Sequence, residues 1–88
     1  MKIDYHDRFV KHYAKRIRPS GALDTAFARR MNTFLQNSKH PLLRDHALTG
    51  DLIGFRSFSI TGDIRVIYRT MGSVIQLYDI GTHTQVYS

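Results

Sequence analysis

The clearest alternation of apolar and polar positions lies between residues 52 and 69, where it predicts a β-hairpin. The first arm covers residues 52–60 and the second covers residues 62–69, with Thr61-Gly62 as a two-residue turn between them. On the second arm, apolar side chains at 64, 66 and 68 alternate with Arg65 and Arg69. This arm therefore has one apolar face and one face that carries arginines.

The length of the turn also predicts the face that Arg56 of the first arm takes. A two-residue turn pairs Ile60 with Asp63, and that register puts Arg56 on the same face as Arg65 and Arg69. Three arginines on one face of a sheet are costly unless the face meets solvent or an anion. The hairpin thus predicts an anion-binding surface at the centre of the protein.

Helical periodicity takes over in the first half of the chain. Residues 6–17 and 22–37 place apolar side chains at spacings of three and four, and Arg18-Pro19-Ser20-Gly21 breaks the pattern between them. Residues 1–5 and 74–80 are compatible with strands, residues 38–50 with a loop, and the tail from residue 81 with a short strand or turn. The order β-α-α-β-β-β predicts a small α+β domain in which a helical hairpin packs on one face of an antiparallel sheet.

The charge balance indicates the kind of partner. The chain has 88 residues, enough for one domain over 1–88, and 13 Lys and Arg against 7 acids give a net charge of +6. Such a basic domain is expected to meet a polyanion or an acidic protein. A basic stripe on the first helix is typical of a solvated face, or alternatively of a surface that contacts phosphates or an acidic partner. Without a signal peptide or a long apolar run, a cytoplasmic location is expected and no membrane partner.

Histidines flank the arginine face and suggest acid–base chemistry. His46 precedes the first arm and His83 follows the third strand, so both are expected at the rim of that face, with Asp63 beside the turn. This set suits cleavage of RNA, in which a base activates the 2′-hydroxyl, an acid protonates the leaving oxygen and arginine binds the phosphate. No metal ion or other cofactor is required.

Each of these residues also has a structural interpretation. Most histidines of a basic protein are simple surface side chains, and Asp63 is a common residue type in turns. A zinc site formed by His40, His46 and His83 lacks the usual ligand spacing. Tyr87 suits a base-stacking platform or a hydrophobic anchor of the tail equally well.

Three ordered motifs resemble a known family. They are the run from Leu43 to Ile60 with its H-x-L-x-G segment, the strand from Asp63 to Arg69, and the G-T-H-x-x-V-Y ending at Tyr87. Together they are similar to the RelE/ParE superfamily of bacterial toxins, in its YafQ-like (RelE/StbE) branch. The motifs span about half of the chain.

The resemblance implies a toxin of a type II toxin–antitoxin system with a RelE-like fold. Such a toxin is a ribosome-dependent mRNA endonuclease, or mRNA interferase, which contacts ribosomal RNA through its basic surface and is held inactive by a cognate antitoxin. Carried over by position, the catalytic set is His46, Asp63, Arg65, His83 and Tyr87, and Arg56 falls where the family carries a basic residue. Arg56 and, from its place on the arginine face, Arg69 are the predicted substrate-binding residues. The preferred roles are acid and base, in unassigned order, for His46 and His83, and phosphate binding for Arg65 and Arg56. Asp63 is expected to orient a histidine or to tune its pKa.

Two other functions fit the same superfamily. ParE-type members share the fold but inhibit DNA gyrase, and a fold does not determine function. An inactive member would bind only its antitoxin and operator DNA. The two histidines beside an arginine face favour the nuclease, because an inhibitory surface does not need them.

Overall fold

A computed structural model of the chain describes residues 2–87. In chain order its elements are β1 (Lys2–Tyr5), α1 (Asp7–Arg16), α2 (Gly21–Gln36), β2 (His46–Ala47), β3 (Arg56–Ser59), β4 (Ile64–Met71), β5 (Val74–Thr82) and α3 (His83–Tyr87). The predicted α+β class is confirmed, and the two predicted helices agree with α1 and α2 to within one residue at each end. Met1, at the start of the predicted first strand, lies outside the described residues. No helix within residues 2–87 has the length and apolarity needed to cross a membrane.

The strands form one sheet in the order β1-β5-β4-β3-β2. Strands β2 to β5 form an antiparallel meander, whereas β1 runs parallel to β5, with Ile3 beside Ile75. The sheet is therefore mixed, and β1 is the strand that departs from the antiparallel arrangement. The helical hairpin after β1 crosses one face of the sheet and separates β1 from the next strand of the chain. Strand β1 therefore pairs with the last strand, β5.

The core lies between the two long helices and one face of the sheet. Phe34 of α2 stacks on Phe58 of β3 with ring centroids 4.5 Å apart, and it meets the edge of Tyr68 of β4 at 4.9 Å. Phe9 and Ile17 extend this core along α1. Helix α2 begins where the sequence places its signals, because the Ser20 hydroxyl accepts from the Leu23 N–H at 3.2 Å.

The register of the β3–β4 hairpin differs by one residue from the prediction. Ser59 pairs with Arg65 and Arg56 with Tyr68, so residues 61–63 form a three-residue turn. The Thr61 hydroxyl accepts from the N–H groups of Asp63 (3.2 Å) and Ile64 (3.0 Å), which stabilises the longer turn. A one-residue change moves a side chain to the other face. Arg56 therefore lies on the face of Tyr68, and the prediction that it joins Arg65 and Arg69 is wrong.

The face opposite the helices is partly covered. Arg65 and Arg69 lie on it as predicted, but Ile67 between them is only 1% exposed. A small second layer forms there, in which the rings of Phe55 and Tyr78 lie 4.8 Å apart and the Arg69 guanidinium lies 5.1 Å from the Phe55 ring centroid. The arginine face is thus open mainly at the Arg65 end.

Candidate active site

A cleft of about 410 Å³ opens at the Arg65 end of this face. It lies between β2 with the residues after it, the first turn of α3, and Arg65 near the start of β4. Its lining consists of His46, Ala47, Leu48, Thr49, Arg65, His83 and Tyr87. Four of the five residues predicted as catalytic therefore line a single cleft, although they come from three separate segments of the chain.

Arg65 and His83 are in direct contact across the cleft. A terminal guanidinium nitrogen of Arg65 lies 3.1 Å from His83 Nδ1. Arginine has no lone pair to offer and stays charged, so it must donate and Nδ1 must accept. In this arrangement the imidazole of His83 is neutral and carries its proton on Nε2. Arg65 itself lies opposite Gly81, two residues before His83, which explains their proximity.

The tail that carries His83 is a short helix rather than the predicted strand or turn. The Thr82 N–H donates to Gln85 Oε1 at 2.9 Å, and the Gln85 N–H donates to the Thr82 hydroxyl at 3.3 Å. This reciprocal pair is a capping box, and it starts α3 at His83. One turn later, the Tyr87 ring meets the His83 ring edge-on with centroids 4.5 Å apart. The T-x-x-Q spacing that signals this helix is present in the sequence, and the sequence prediction missed it.

His46 is held in a defined tautomer by the backbone. Its Nδ1 lies 2.8 Å from the carbonyl oxygen of Arg44. A carbonyl only accepts, so Nδ1 carries the hydrogen and Nε2 of the neutral ring keeps its lone pair. The side chain is exposed and belongs to β2, where His46 pairs with Ser57 of β3. Its free nitrogen is thus available to a molecule in the cleft.

The other predicted site residues lie outside the cleft. Asp63 is exposed in the β3–β4 turn, and within residues 2–87 its carboxylate makes no hydrogen bond or ion pair, so no contact supports its orienting a histidine. Arg69 shares the face of Arg65, but its Nε donates to Gln76 Oε1 at 2.9 Å. Arg56 lies on the opposite face, for the reason given by the hairpin register, and its guanidinium binds Asp45.

Asp45, immediately before His46, was not predicted from the sequence. Its Oδ1 lies 2.7 Å from Nε and 2.6 Å from Nη2 of Arg56, and its Oδ2 accepts from the Tyr68 hydroxyl. The hydrogen bond with Asp45 raises the pKa of Arg56. Burial, followed by the hydrogen bond with Asp45, raises the pKa of Tyr68. Arg56 therefore stays a cation and Tyr68 a neutral hydroxyl across the neutral pH range, and both donate to the Asp45 side chain.

The part of the chain that the structure describes holds no group of three or more His or Asp side chains arranged to bind a metal ion. His46 and His83 share the cleft, while His40 lies beside Pro41, where its Nδ1 accepts from the Leu42 N–H at 3.2 Å. The three histidines considered for a zinc site are therefore not gathered at one point. The ionisable groups of the cleft are two imidazoles, one guanidinium and the phenol of Tyr87.

Comparison with known proteins identifies the family. The profile described as "Bacterial toxin of type II toxin-antitoxin system, YafQ" matches residues 1–88. A search of curated proteins found no match.

Solved structures share the fold over nearly the whole chain. A point mutant of YafQ from E. coli is 21% identical with a TM-score of 0.78, covering 99% of this chain and 98% of that one. The E. coli DinJ–YafQ complex is 22% identical with a TM-score of 0.75, again covering 99% of this chain and 98% of that one. A copper-bound mutant toxin from Helicobacter pylori is 24% identical with a TM-score of 0.81, covering 98% of both chains. Identities this low establish a shared fold alone.

Proposed function

The chain belongs to the YafQ family of toxins of bacterial type II toxin–antitoxin systems, and from this premise we propose that it is a ribosome-dependent mRNA endonuclease. The proposed reaction is attack of a ribose 2′-hydroxyl on the adjacent phosphate, catalysed by side chains without a metal ion. One observation carries the proposal: His46, Arg65 and His83 converge on the same cleft from three segments of the chain. A base, a phosphate-binding cation and a second imidazole are the groups that this reaction uses.

The reaction requires two proton transfers. As the 2′-oxygen forms its bond to phosphorus, the 2′-hydroxyl loses its proton to a base. As the bond from phosphorus to the 5′-oxygen breaks, that oxygen receives a proton from an acid. The products are a 2′,3′-cyclic phosphate and a 5′-hydroxyl. Negative charge builds on the phosphate oxygens in between, and a guanidinium beside them stabilises it.

His46 is the proposed base. Its Nδ1–H donates to the Arg44 carbonyl, and this bond orients the ring and leaves the Nε2 lone pair to accept the proton of the 2′-hydroxyl. A neutral imidazole in a fixed tautomer is the form that a base requires near neutral pH.

His83 is the proposed acid, and Arg65 the phosphate ligand. In the free protein the Arg65 guanidinium donates to Nδ1 of His83, so that this nitrogen acts as a hydrogen-bond acceptor. A phosphate in the cleft competes for the guanidinium as a charge-assisted, bidentate partner. Once Arg65 turns to the phosphate, Nδ1 is free to bind a proton, and the neighbouring anion favours the doubly protonated ring. Substrate binding itself would then generate the acid.

Tyr87 and the charge of the chain suit an RNA substrate. The Tyr87 ring lines the cleft one helical turn after His83 and offers a surface on which a base can stack. The net charge of +6 favours association with the phosphate backbones of mRNA and ribosomal RNA. Both features support a polynucleotide rather than a small phosphate ester as the substrate.

A cognate antitoxin is the proposed regulatory partner. The fold is shared with the toxin of the E. coli DinJ–YafQ complex. An acidic segment of the antitoxin would complement the basic surface of this chain, and such an interface weakens as salt screens it. The antitoxin is expected to be a small acidic protein encoded by the open reading frame beside this gene. Pull-down of that protein at rising salt tests this, and binding that is indifferent to salt would point to an apolar interface.

Mapping of mRNA ends on translating ribosomes tests the nuclease. The wild-type chain should cut mRNA within the ribosome. It should still do so when EDTA removes other divalent metals and free Mg²⁺ is kept only at the level that the ribosome needs to stay intact. His83→Ala and Arg65→Ala should each lower the cleavage rate by about 10²–10⁴-fold, because each removes one component of the acid–phosphate pair. Arg29→Ala is the matched control, since it removes the same charge from an exposed position on α2.

Three results would contradict the proposal. Intact mRNA with DNA gyrase trapped on DNA would indicate a ParE-like inhibitor. Intact mRNA with gyrase unaffected would indicate a member that binds only its antitoxin and operator DNA. Full cleavage by both Arg65→Ala and His83→Ala would show that the active site lies elsewhere.

A further inference from the structure

A buried carboxylate joins the segment before β2 to strands β3 and β4. The Asp45 side chain is 5% exposed and accepts from Arg56 of β3 and from the Tyr68 hydroxyl of β4. Arg56 pairs with Ala47 through the backbone on one side and with Tyr68 on the other. Side-chain and backbone contacts therefore join the segment before β2 to the centre of the sheet.

We propose that Asp45 is a positioning residue for His46, with Arg56 and Tyr68 as its supports; this inference rests on the proposed function. Asp45 lies between Arg44, whose carbonyl accepts from His46 Nδ1, and His46 itself. Anchoring the Asp45 carboxylate fixes both neighbouring peptide groups. The carbonyl that selects the His46 tautomer, and the backbone that carries the ring, are thus held by the same carboxylate.

The local backbone needs such an anchor. Arg44 adopts a left-handed conformation with φ of 50°, which costs a residue with a Cβ about 1 kcal/mol or more. Strand β2 is only two residues long and lies at the edge of the sheet, where its own pairing provides little stability. A strained residue beside a minimal edge strand keeps its geometry only if tertiary contacts hold it. The charge-assisted bonds of Asp45 are such contacts, and they act beside the buried side chain of Leu43 and the bond from the Arg44 N–H to the Pro41 carbonyl.

The two partners of Asp45 do not change their charge near neutral pH, so neither of them acts as a pH switch. The hydrogen bond with Asp45 raises the pKa of Arg56, and burial together with that carboxylate raises the pKa of Tyr68. Tyr68 therefore stays a donor and Arg56 a cation throughout the range in which His46 works. Arg56, predicted from the sequence as a phosphate ligand, acts here through Asp45 instead.

Nitrogen NMR of the histidines, combined with cleavage kinetics, tests the inference. In the wild type, the ¹⁵N shifts of His46 should show a protonated Nδ1 and an unprotonated Nε2. In Tyr68→Phe and Asp45→Asn those shifts should move towards a mixture of tautomers. The cleavage rate constant on programmed ribosomes should fall by about 10–100-fold, with KM changed by less than about threefold.

Tyr13→Phe is the matched control. It also removes a tyrosine hydroxyl that donates to an aspartate, Asp24, but on the helical side away from the cleft. It should leave both the His46 shifts and the cleavage rate as in the wild type. Far-UV circular dichroism checks that each variant is folded. Tyr68→Phe keeps the aromatic ring in the core, so it still tests the inference if Asp45→Asn does not fold.

The NMR arm is independent of RNA, so the two proposals fail separately. A wild-type protein that does not cleave mRNA would reject the nuclease, yet a changed His46 tautomer in Tyr68→Phe would still support the positioning role. His46 shifts that stay unchanged in a folded Tyr68→Phe would overturn the positioning role, even if mRNA cleavage by the wild type is established. A loss of cleavage that appears only as a higher KM would overturn it too.

Discussion

Asp79 is a buried charged residue outside the cleft, and the structure predicts that its removal strongly lowers the free energy of unfolding. Its carboxylate is 2% exposed and joins β5 to α1. Oδ2 accepts from Arg8 Nε at 3.1 Å, while Oδ1 lies 2.6 Å from His12 Nδ1 and 3.6 Å from a guanidinium nitrogen of Arg16. Asp79→Ala leaves these three side chains together without an anion. Since His83 follows four residues later along the same strand and helix, this contact also supports the cleft.

The magnitude follows from the burial of each partner. Arg8 is 42% exposed, so its share is that of a surface pair, about 0–1 kcal/mol. Arg16 is mostly buried, and removal of one partner of a buried ion pair costs about 3–5 kcal/mol. His12, also mostly buried, loses its 2.6 Å hydrogen bond with the Asp79 carboxylate. A domain of 88 residues has a free energy of unfolding of about 4–13 kcal/mol. Asp79→Ala is therefore expected to remove a large share of the total stability.

Urea unfolding followed by far-UV circular dichroism measures this loss. With an m value of about 1–3 kcal/mol per M, the midpoint should fall by at least about 1 M. Asp51→Ala is the control, because Asp51 is exposed in the segment before β3 and should change stability by less than about 0.5 kcal/mol. A loss below about 1 kcal/mol for Asp79→Ala would refute the assignment of a buried ion cluster to this position.

Three further predictions concern other contacts. Because burial raises the pKa of Tyr68, the unfolded chain loses this proton first, so Tyr68 should contribute a fall in stability of about 1.4 kcal/mol per pH unit above about pH 10. Tyr13, whose pKa burial also raises, adds a fall of its own; urea titrations of Tyr68→Phe should therefore show a shallower fall than the wild type, and an equally steep one would contradict this. Phe34→Ala should cost about 3–5 kcal/mol, since it removes the ring stacked on Phe58, and a cost below about 1 kcal/mol would show that the site collapses. Gln85→Ala should destabilise α3 by about 1 kcal/mol through loss of its bond to the Thr82 N–H, and unchanged amide exchange in the tail would argue against the capping box.

The helices and the fold class were predictable because their signals are local. Apolar spacing of three and four, together with Pro19 and Ser20 at the break, determines α1 and α2 without reference to the rest of the chain. The convergence of His46 and His83 on the Arg65 face was also predicted. His46 precedes the first arm of the hairpin and His83 follows the third strand, so the order of the strands brings both to the rim of that face.

The register and the supporting residues depend on contacts that a sequence pattern does not display. The Thr61 hydroxyl accepts hydrogen bonds from two backbone N–H groups and stabilises a turn that is one residue longer than predicted. The change of register by one residue places Arg56 on the face of Tyr68 instead of the face of Arg65. The partners of Asp45 lie 11 and 23 positions away in the sequence. Their encounter requires the assembled sheet, so a predicted phosphate ligand became a structural partner of a carboxylate.

The most direct test of the proposed nuclease is the chemistry of the cut ends. Purified ribosomes are programmed with an mRNA that carries a single 2′-deoxynucleotide at the mapped cleavage position, alongside the all-ribose mRNA. Attack by the 2′-hydroxyl predicts a 2′,3′-cyclic phosphate and a 5′-hydroxyl from the ribose mRNA, and no cut at the deoxy position. Cleavage of the deoxy mRNA at that position, or ends with a 5′-phosphate and a 3′-hydroxyl, would contradict it.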